Sequence, residues 1–259
     1  MKKREFLEER RARLLDYINR NHRADVAELA AKFGVPEATI RRDLLFMESQ
    51  GQIYRTHGGA IRRDQPSLWK ATSLHERSVQ HKEDKERIAA LVEQLVHDGE
   101  SIMIDAGSTT LSVARKLVTR KSLLILTNSP GIGEILAGVN DNKVILTGGE
   151  LVQRTNATIG VAAEQALMQY RTDKAIIGVS GLLMDEGFFA AIPEEAQIKR
   201  LMSRNAKETI VVTDSSKIGT RALCFVCDFS GIHKVITDKN ISRADLDQLV
   251  KAGIEVFTA

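Results

Sequence analysis

The chain is poor in cysteine, in aromatics and in long apolar runs. Its 259 residues include two cysteines, four prolines and one tryptophan, and aromatics make up 5%. Two cysteines build no disulfide framework, so the composition suits a reducing cytosol. No stretch reaches the roughly 18 uncharged apolar residues of a membrane helix. The start is charged from Lys2 to Arg13 and lacks the apolar core of a secretory signal. A cytoplasmic protein without a membrane partner is therefore expected. There is no Gly-x-Gly-x-x-Gly and no Gly-x₄-Gly-Lys-Ser/Thr pattern, and no cofactor is expected. At 43% hydrophobic and 27% charged residues, disordered and fibrous classes are excluded. The length suits two domains.

The net charge of +3 is unevenly spread. Residues 1–63 hold 14 Lys and Arg against 9 Asp and Glu, a balance of +5. The rest hold 23 against 25, a balance of −2. A basic head on a slightly acidic body suggests a head that meets a polyanion.

Three helical patterns follow one another in the head. The first runs over 4–21, with Leu7, Leu14, Leu15 and Ile18 on one face. The second opens at Asp25, where Glu28 three residues on predicts a capping box. Val26, Leu29, Ala30 and Phe33 form its buried stripe, and Gly34 ends it. Pro36 suits the first position of a third helix over 37–50, with Ile40, Leu44 and Met47 inward. Two short helices joined by a Gly-containing turn predict a helix-turn-helix. The outer face of the third helix carries Glu37, Ala38, Arg41 and Arg42, and Arg pairs bidentately with guanine in the major groove. Residues 52–61 alternate and carry Gly58-Gly59, which predicts a hairpin, or wing, that brings Arg55, His57 and Arg62 to the phosphate backbone.

Residues 62–74 have no clear period, contain Pro66 and read as a connector. The expected organisation is a winged helix-turn-helix over 1–62, a linker over 63–74 and an α/β domain over 75–259. In the body, strands expected at 101–105, 123–127, 144–147, 174–179, 209–213, 235–237 and 254–257 alternate with helices at 82–96, 109–118, 131–137, 162–170, 194–205 and 243–252. This alternation predicts an α/β fold with a mostly parallel sheet.

Ligands of such sheets bind beyond the carboxyl ends of the strands. Four of these ends carry small, hydroxylic or charged groups. They are Asp105 with Gly107, Ser108, Thr109 and Thr110; Thr127-Asn128-Ser129; Thr147-Gly148-Gly149; and Asp214-Ser215-Ser216-Lys217. A glycine before a helix start lets backbone N–H groups cradle a phosphate. Glu195 and Lys199 stand four apart on a helix, as either an exposed ion pair or pocket residues. Cys224-x-x-Cys227 has metal-like spacing, but no second pair completes four ligands; no metal is expected, and the thiols read as buried or half-buried.

Thr39-Ile40-Arg41-Arg42-Asp43-Leu44, with Gly51-Gln52-Ile53-Tyr54-Arg55-Thr56-His57-Gly58-Gly59-Ala60, resembles the DeoR family of bacterial sugar-metabolism repressors. Lys85-x-x-Ile88-Ala89, Asp105-x-Gly107-Ser108-Thr109-Thr110, Thr127-Asn128, Thr147-Gly148-Gly149, Gly160, Glu195-Ala196-x-x-Lys199 and Asp214-Ser215-Ser216-Lys217 extend the resemblance over nearly the whole chain. It implies a DNA-binding winged helix-turn-helix and an α/β sensor domain similar to ribose-5-phosphate isomerase-type folds. It also implies no catalytic residue, a phosphorylated sugar or polyol effector, and a homodimer or homotetramer on double-stranded operator DNA. The positions it assigns to DNA are Glu37, Ala38, Thr39, Arg41, Arg42, Arg55, His57 and Gly58. Those it assigns to effector are Asp105, Gly107, Ser108, Thr109, Thr110, Asn128, Gly149, Glu195, Lys199 and Lys217.

The chain departs from the family pattern in three places. Pro36 stands where Ser is usual, and Tyr54 where Arg is frequent. Residues 188–193 read Phe-Phe-Ala-Ala-Ile-Pro where hydroxyl and amide groups are usual, which suggests a less hydroxylated or differently oriented effector. The expected function is a DNA-binding repressor of a carbohydrate operon released by a phosphorylated metabolite. The alternatives are a sugar-phosphate isomerase with a DNA-binding head, using Glu195 and Lys217 as acid and base, and an activator or architectural DNA binder without an effector.

Overall fold

The structure is a computed structural model and describes residues 2–21, 23–49, 53–55, 58–62 and 73–259. The chain divides into two compact units, Met1–Ser67 and Leu68–Ala259.

The first unit holds α1 (Lys2–Asn21), β1 (Arg23–Asp25), α2 (Val26–Phe33), α3 (Glu37–Ser49), β2 (Ile53–Arg55) and β3 (Gly59–Arg62). The strands form an antiparallel sheet in the order β1-β3-β2. Leu14, Ile18, Leu29, Ile40, Leu44, Met47 and Ile53 bury themselves at its centre, as their spacing requires. The side chain of Leu7 lies outside the described residues.

Two local expectations fail here for one reason. No strand was expected before α2, yet β1 pairs with β3. Gly59 permits this approach, since a Cβ there would stand 2.2 Å from the Ala24 carbonyl oxygen. The pairing holds Asp25 extended, Val26 N–H donates to the Gly58 carbonyl at 2.8 Å, and Asp25 caps α2 without a side-chain bond. The expected capping box is therefore absent; Glu28 instead accepts from the Tyr17 hydroxyl at 2.5 Å. Gly34 ends α2 in the left-handed conformation, as expected. Pro36 stands one position earlier than expected: its carbonyl accepts from Thr39 N–H at 2.9 Å, so it caps α3 rather than opening it.

The second unit begins with α4 (Leu74–Val79) and α5 (Lys82–Leu95), followed by β4 (Ser101–Ile104), α6 (Ser108–Leu117), β5 (Leu124–Thr127), α7 (Pro130–Leu136), β6 (Lys143–Leu146), β7 (Glu150–Val152), β8 (Ala157–Ile159) and α8 (Val161–Met168). It continues with β9 (Thr172–Gly178), β10 (Gly181–Leu183), β11 (Gly187–Ala190), α9 (Pro193–Arg204), β12 (Ala206–Val212), β13 (Cys224–Cys227), β14 (Lys234–Thr237), α10 (Arg243–Lys251) and β15 (Glu255–Thr258). All seven expected strands join one parallel sheet, in the order β15-β14-β12-β9-β4-β5-β6.

Both faces of this sheet are covered, which is why its strands read as short apolar runs rather than alternating ones. Ile102, Ile104, Ile176, Ile210 and Val212 point to one side and pack with Ile88, Val92, Val113, Leu117 and Ile132 of α5, α6 and α7. Met103, Ala175, Ile177 and Val211 point to the other, against Ala163, Leu167, Ile198, Met202 and Leu249 of α8, α9 and α10. A small antiparallel sheet, β10-β11-β13, adds to this second face. From β4 the chain first builds outward through β5 and β6, then returns to place β9 on the other side of β4. The sheet therefore has its switch point between β4 and β9, and a crevice is expected outside their carboxyl ends.

Candidate functional site

In the first unit, burial of Ile40, Leu44 and Met47 turns the opposite face of α3 outward. Glu37, Ala38, Arg41 and Arg42 are exposed and Thr39 is half-buried. Arg41 pairs with Glu37 one turn earlier at 3.1 Å. Gly58 is exposed beside the wing strands. Arg55 belongs to β2, but its side chain is outside the described residues, as is the whole of His57. The helix is held in place by a buried carboxylate: Asp43 accepts from Arg10 Nε at 2.7 Å and from Arg11 Nε at 2.9 Å, which pins α1 to α3.

In the second unit, Asp105 lies just past β4 at the switch point and is almost fully buried. Its Oδ1 accepts from Gly178 N–H, at the end of β9, at 3.1 Å. Its Oδ2 receives the ammonium of Lys199, carried by α9. Burial, and after it the Arg77 charge, push Lys199 down to about 7, while its amine nitrogen lies against the Asp105 carboxylate. Gly107 then caps α6 with its backbone and no side-chain bond. The first N–H groups of α6 carry the positive end of the helix dipole toward the crevice, with Ser108, Thr109 and Thr110 buried around them.

Two residues expected at the effector have structural roles in the fold. Asn128 is a strut: its Oδ1 accepts from Ala106 N–H at 2.9 Å and its Nδ2 donates to the Thr158 carbonyl at 3.1 Å. Gly149, at φ +106°, lets β8 approach, since a Cβ there would stand 2.3 Å from the Ile159 carbonyl oxygen. Lys217 lies in a short helical turn at 215–217 and is half-buried. That turn is anchored by Asp238, which accepts from Ser215 N–H at 2.6 Å and from its hydroxyl at 2.9 Å.

Glu195 is buried next to Arg77 and Thr155. Burial raises its carboxyl above the ordinary value, against the opposing pull of Arg77. Glu195 and Lys199 are thus both buried and do not form an exposed pair. Lys85 is buried too, donating to the Arg77 carbonyl and, at 2.6 Å, to that of Gln80. Its nearest charges include Asp214 and Lys217. Arg77, Lys85, Lys199 and Lys217 thus stand with Asp84, Asp105, Asp214 and Glu195 in one mixed cluster of cations and carboxylates.

Arg77, Thr155 and Asp238 were not singled out from the sequence. The signal for Arg77 was present: Ser73-x-x-Glu76 is a capping box, and it forms, opening α4 inside the stretch read as connector. The apolar segment at 188–193 serves packing. Phe188 is fully buried against Phe229, ring centroids 5.4 Å apart, and Pro193 opens α9. Cys224 and Cys227 are free and half-buried, and burial pushes the Cys227 thiol up to about 12. Among the described residues no cluster of three His, Cys, Asp or Glu could hold a metal, and no helix is long and apolar enough to cross a membrane.

An exposed Arg-bearing helix beside a wing, followed by an α/β unit with buried charges gathered at its switch point, fits a DNA-binding regulator with a sensor domain. Residues 10–66 match the DeoR-like helix-turn-helix domain and residues 80–239 match the DeoR C terminal sensor domain. The chain belongs to the DeoR family. It is 31% identical over 249 residues to a putative aga operon transcriptional repressor of Escherichia coli O157:H7, covering 96% of this chain and 93% of that one. It is 33% identical over 248 residues to the HTH-type transcriptional regulator GlpR of Haloferax volcanii, covering 96% of each. It is 33% identical over 225 residues to the glycerol-3-phosphate regulon repressor of Escherichia coli K12, covering 87% of this chain and 88% of that one. These relatives are regulators, and the chain is a DNA-binding transcriptional regulator rather than an enzyme. Among solved structures, ribose 5-phosphate isomerase A of Methanocaldococcus jannaschii is similar over 54% of this chain and 55% of that one, at 20% identity and a TM-score of 0.40.

Proposed function

We propose that the protein represses a carbohydrate-utilisation operon and leaves its operator when a phosphorylated sugar or polyol fills the switch-point crevice. The observation that carries this reading is the gathering of Arg77 and Lys217 around the buried Lys85, in a unit where α4, which carries Arg77, packs against α6. Asp105 and Glu195, at the same crevice, offer acceptors for sugar hydroxyls. Lys199 is held by Asp105, so Lys217 and the α6 N–H groups carry the phosphate in this account, and Asn128 and Gly149 shape the walls. On DNA, Arg41 and Arg42 enter the major groove with Glu37, Ala38 and Thr39 beside them, while Arg55, His57 and Gly58 follow the backbone. A cytoplasmic homodimer or homotetramer would place two such heads on two half-sites. The effector must bind the released state more tightly than the DNA-bound state.

The test is a thermal-shift screen of the full chain against phosphorylated sugars and polyols and their unphosphorylated parents. A specific effector raises the melting temperature by mass action, and its parent does not. A screen with no phosphate-dependent rise would count against the proposal.

A further inference from the structure

Among the described residues, six buried side-chain polar atoms have no hydrogen-bond partner. Four of them meet in one place: Arg77 Nε and Nη2, with Thr155 Oγ1 and Glu195 Oε1, which face each other beside it. Buried polar groups are almost always paired, so orphans gathered together mark groups built for something that comes and goes. The guanidinium is the costly member, because burial works against its charge and the neighbouring Glu195 is pushed toward its neutral form. A planar fork with two free N–H groups suits a phosphate oxygen pair.

Arg77 also has a special place in the chain. It belongs to α4, the first described helix after the linker, which packs against α6. Two backbone fastenings hold α4: Lys85 donates to the carbonyls of Arg77 and Gln80, and Leu74 N–H donates to the Arg154 carbonyl at 2.8 Å. The second fastening leads into the turn that carries Thr155. We propose that Arg77 takes the phosphate of the effector through Nε and Nη2, that Thr155 and Glu195 take the adjoining hydroxyl, and that α4 is the element through which occupancy reaches the linker. This rests on the phosphosugar reading above and assigns its anion to Arg77 in addition to the α6 cradle.

The test uses the full chain, inorganic phosphate as probe, and potassium chloride at matched ionic strength as control. Melting temperature and amide hydrogen exchange are followed for wild type, Arg77→Gln and Arg77→Lys. In the wild type, phosphate raises the melting temperature and slows exchange across residues 74–80. Arg77→Gln needs at least about tenfold more phosphate for the same rise, because a charge-assisted bidentate contact is lost, and its α4 amides no longer respond. Without phosphate it melts close to wild type, since Nε and Nη2 have no hydrogen-bond partner in the protein to lose. Arg77→Lys keeps the charge without the fork and falls between the two. An unchanged phosphate response in Arg77→Gln overturns the role of Arg77 while leaving the phosphosugar reading in place. So does a lowered phosphate-free melting temperature with that response unchanged, which would make Arg77 a structural residue. A wild type indifferent to phosphate overturns both.

Discussion

Lys199 donates to Asp105 across 94 residues of sequence, and the two side chains are 6% and 1% exposed. The pair joins α9 to the end of β4 and fixes the floor of the crevice. A buried pair contributes little net stability over an apolar substitute, but breaking it from one side strands a charge. Lys199→Met is therefore expected to cost about 3–5 kcal/mol, read as a lower urea midpoint. Adding Asp105→Asn should recover most of that loss. A single variant as stable as wild type would show that the contact does not hold these elements together.

Asp43 is the corresponding linchpin of the DNA-binding unit, with Arg10 and Arg11 on its two oxygens. Asp43→Ala removes the acceptor of both and is expected to cost about 3 kcal/mol. Hydrogen exchange should quicken at the α3 amides of Leu44 and Met47 while β9 and β12 keep their protection. Unchanged exchange in α3 would show that packing alone seats this helix.

Arg41 and Arg42 are exposed on α3 and can be altered without touching the core. The Arg41→Ala, Arg42→Ala double variant should fold normally and lose specific operator binding by roughly 100-fold or more, given about 1–3 kcal/mol for each base-reading Arg. If the two Arg bind backbone phosphate instead, the logarithmic salt slope falls by about two and weakening is uniform across sequences. A folded double variant that retains tight specific binding in a salt titration would remove α3 from the DNA interface.

Asp238 links stability to pH. Its burial favours the protonated form, but donors from Ser215 and Asn240 outweigh this and hold the carboxyl below its ordinary value. A carboxyl lowered on folding stabilises the native state above its unfolded pKa of about 4, and that share fades as pH falls through the folded value. Asp238→Asn should lower the urea midpoint at about pH 7, lose less than wild type on acidification to about pH 3, and weaken the phosphate response by loosening the turn that carries Lys217. An acid profile identical to wild type would contradict this.

Much of the fold is legible in the sequence because the central sheet is covered on both faces. Ile102-Met103-Ile104 and Ile210-Val211-Val212 can only be strands buried from two sides. The missed strands β7, β8, β10 and β11 form local hairpins, β7 with β8 and β10 with β11, but at three or four residues they are too short for an alternating pattern to show. Strand β1 is invisible because only Gly59 across the sheet gives it a place. At the candidate site, the strand ends point to Asp105, the α6 start and Lys217 as the groups proposed to meet the effector. They cannot distinguish a ligand from a strut, because Asn128 shows its role only through Ala106 and Thr158. Glu195 and Lys199 have the spacing of an exposed pair, and only the packing of α9 buries them. Arg77 lies just past the stretch read as connector, 62–74, and its meaning comes from Glu195, 118 positions later in the sequence.

The central claim is that a phosphorylated metabolite acts on DNA binding through the switch-point crevice. It is tested most directly by fluorescence anisotropy of labelled operator DNA bound to the full chain, titrated with the phosphorylated compound that raises the melting temperature. Wild type should release the DNA as the compound is added. The Lys217→Ala variant, still folded and still bound to operator, should need at least about tenfold more, as expected for the loss of a charge-assisted contact. Release of that variant at the wild-type concentration would contradict the account.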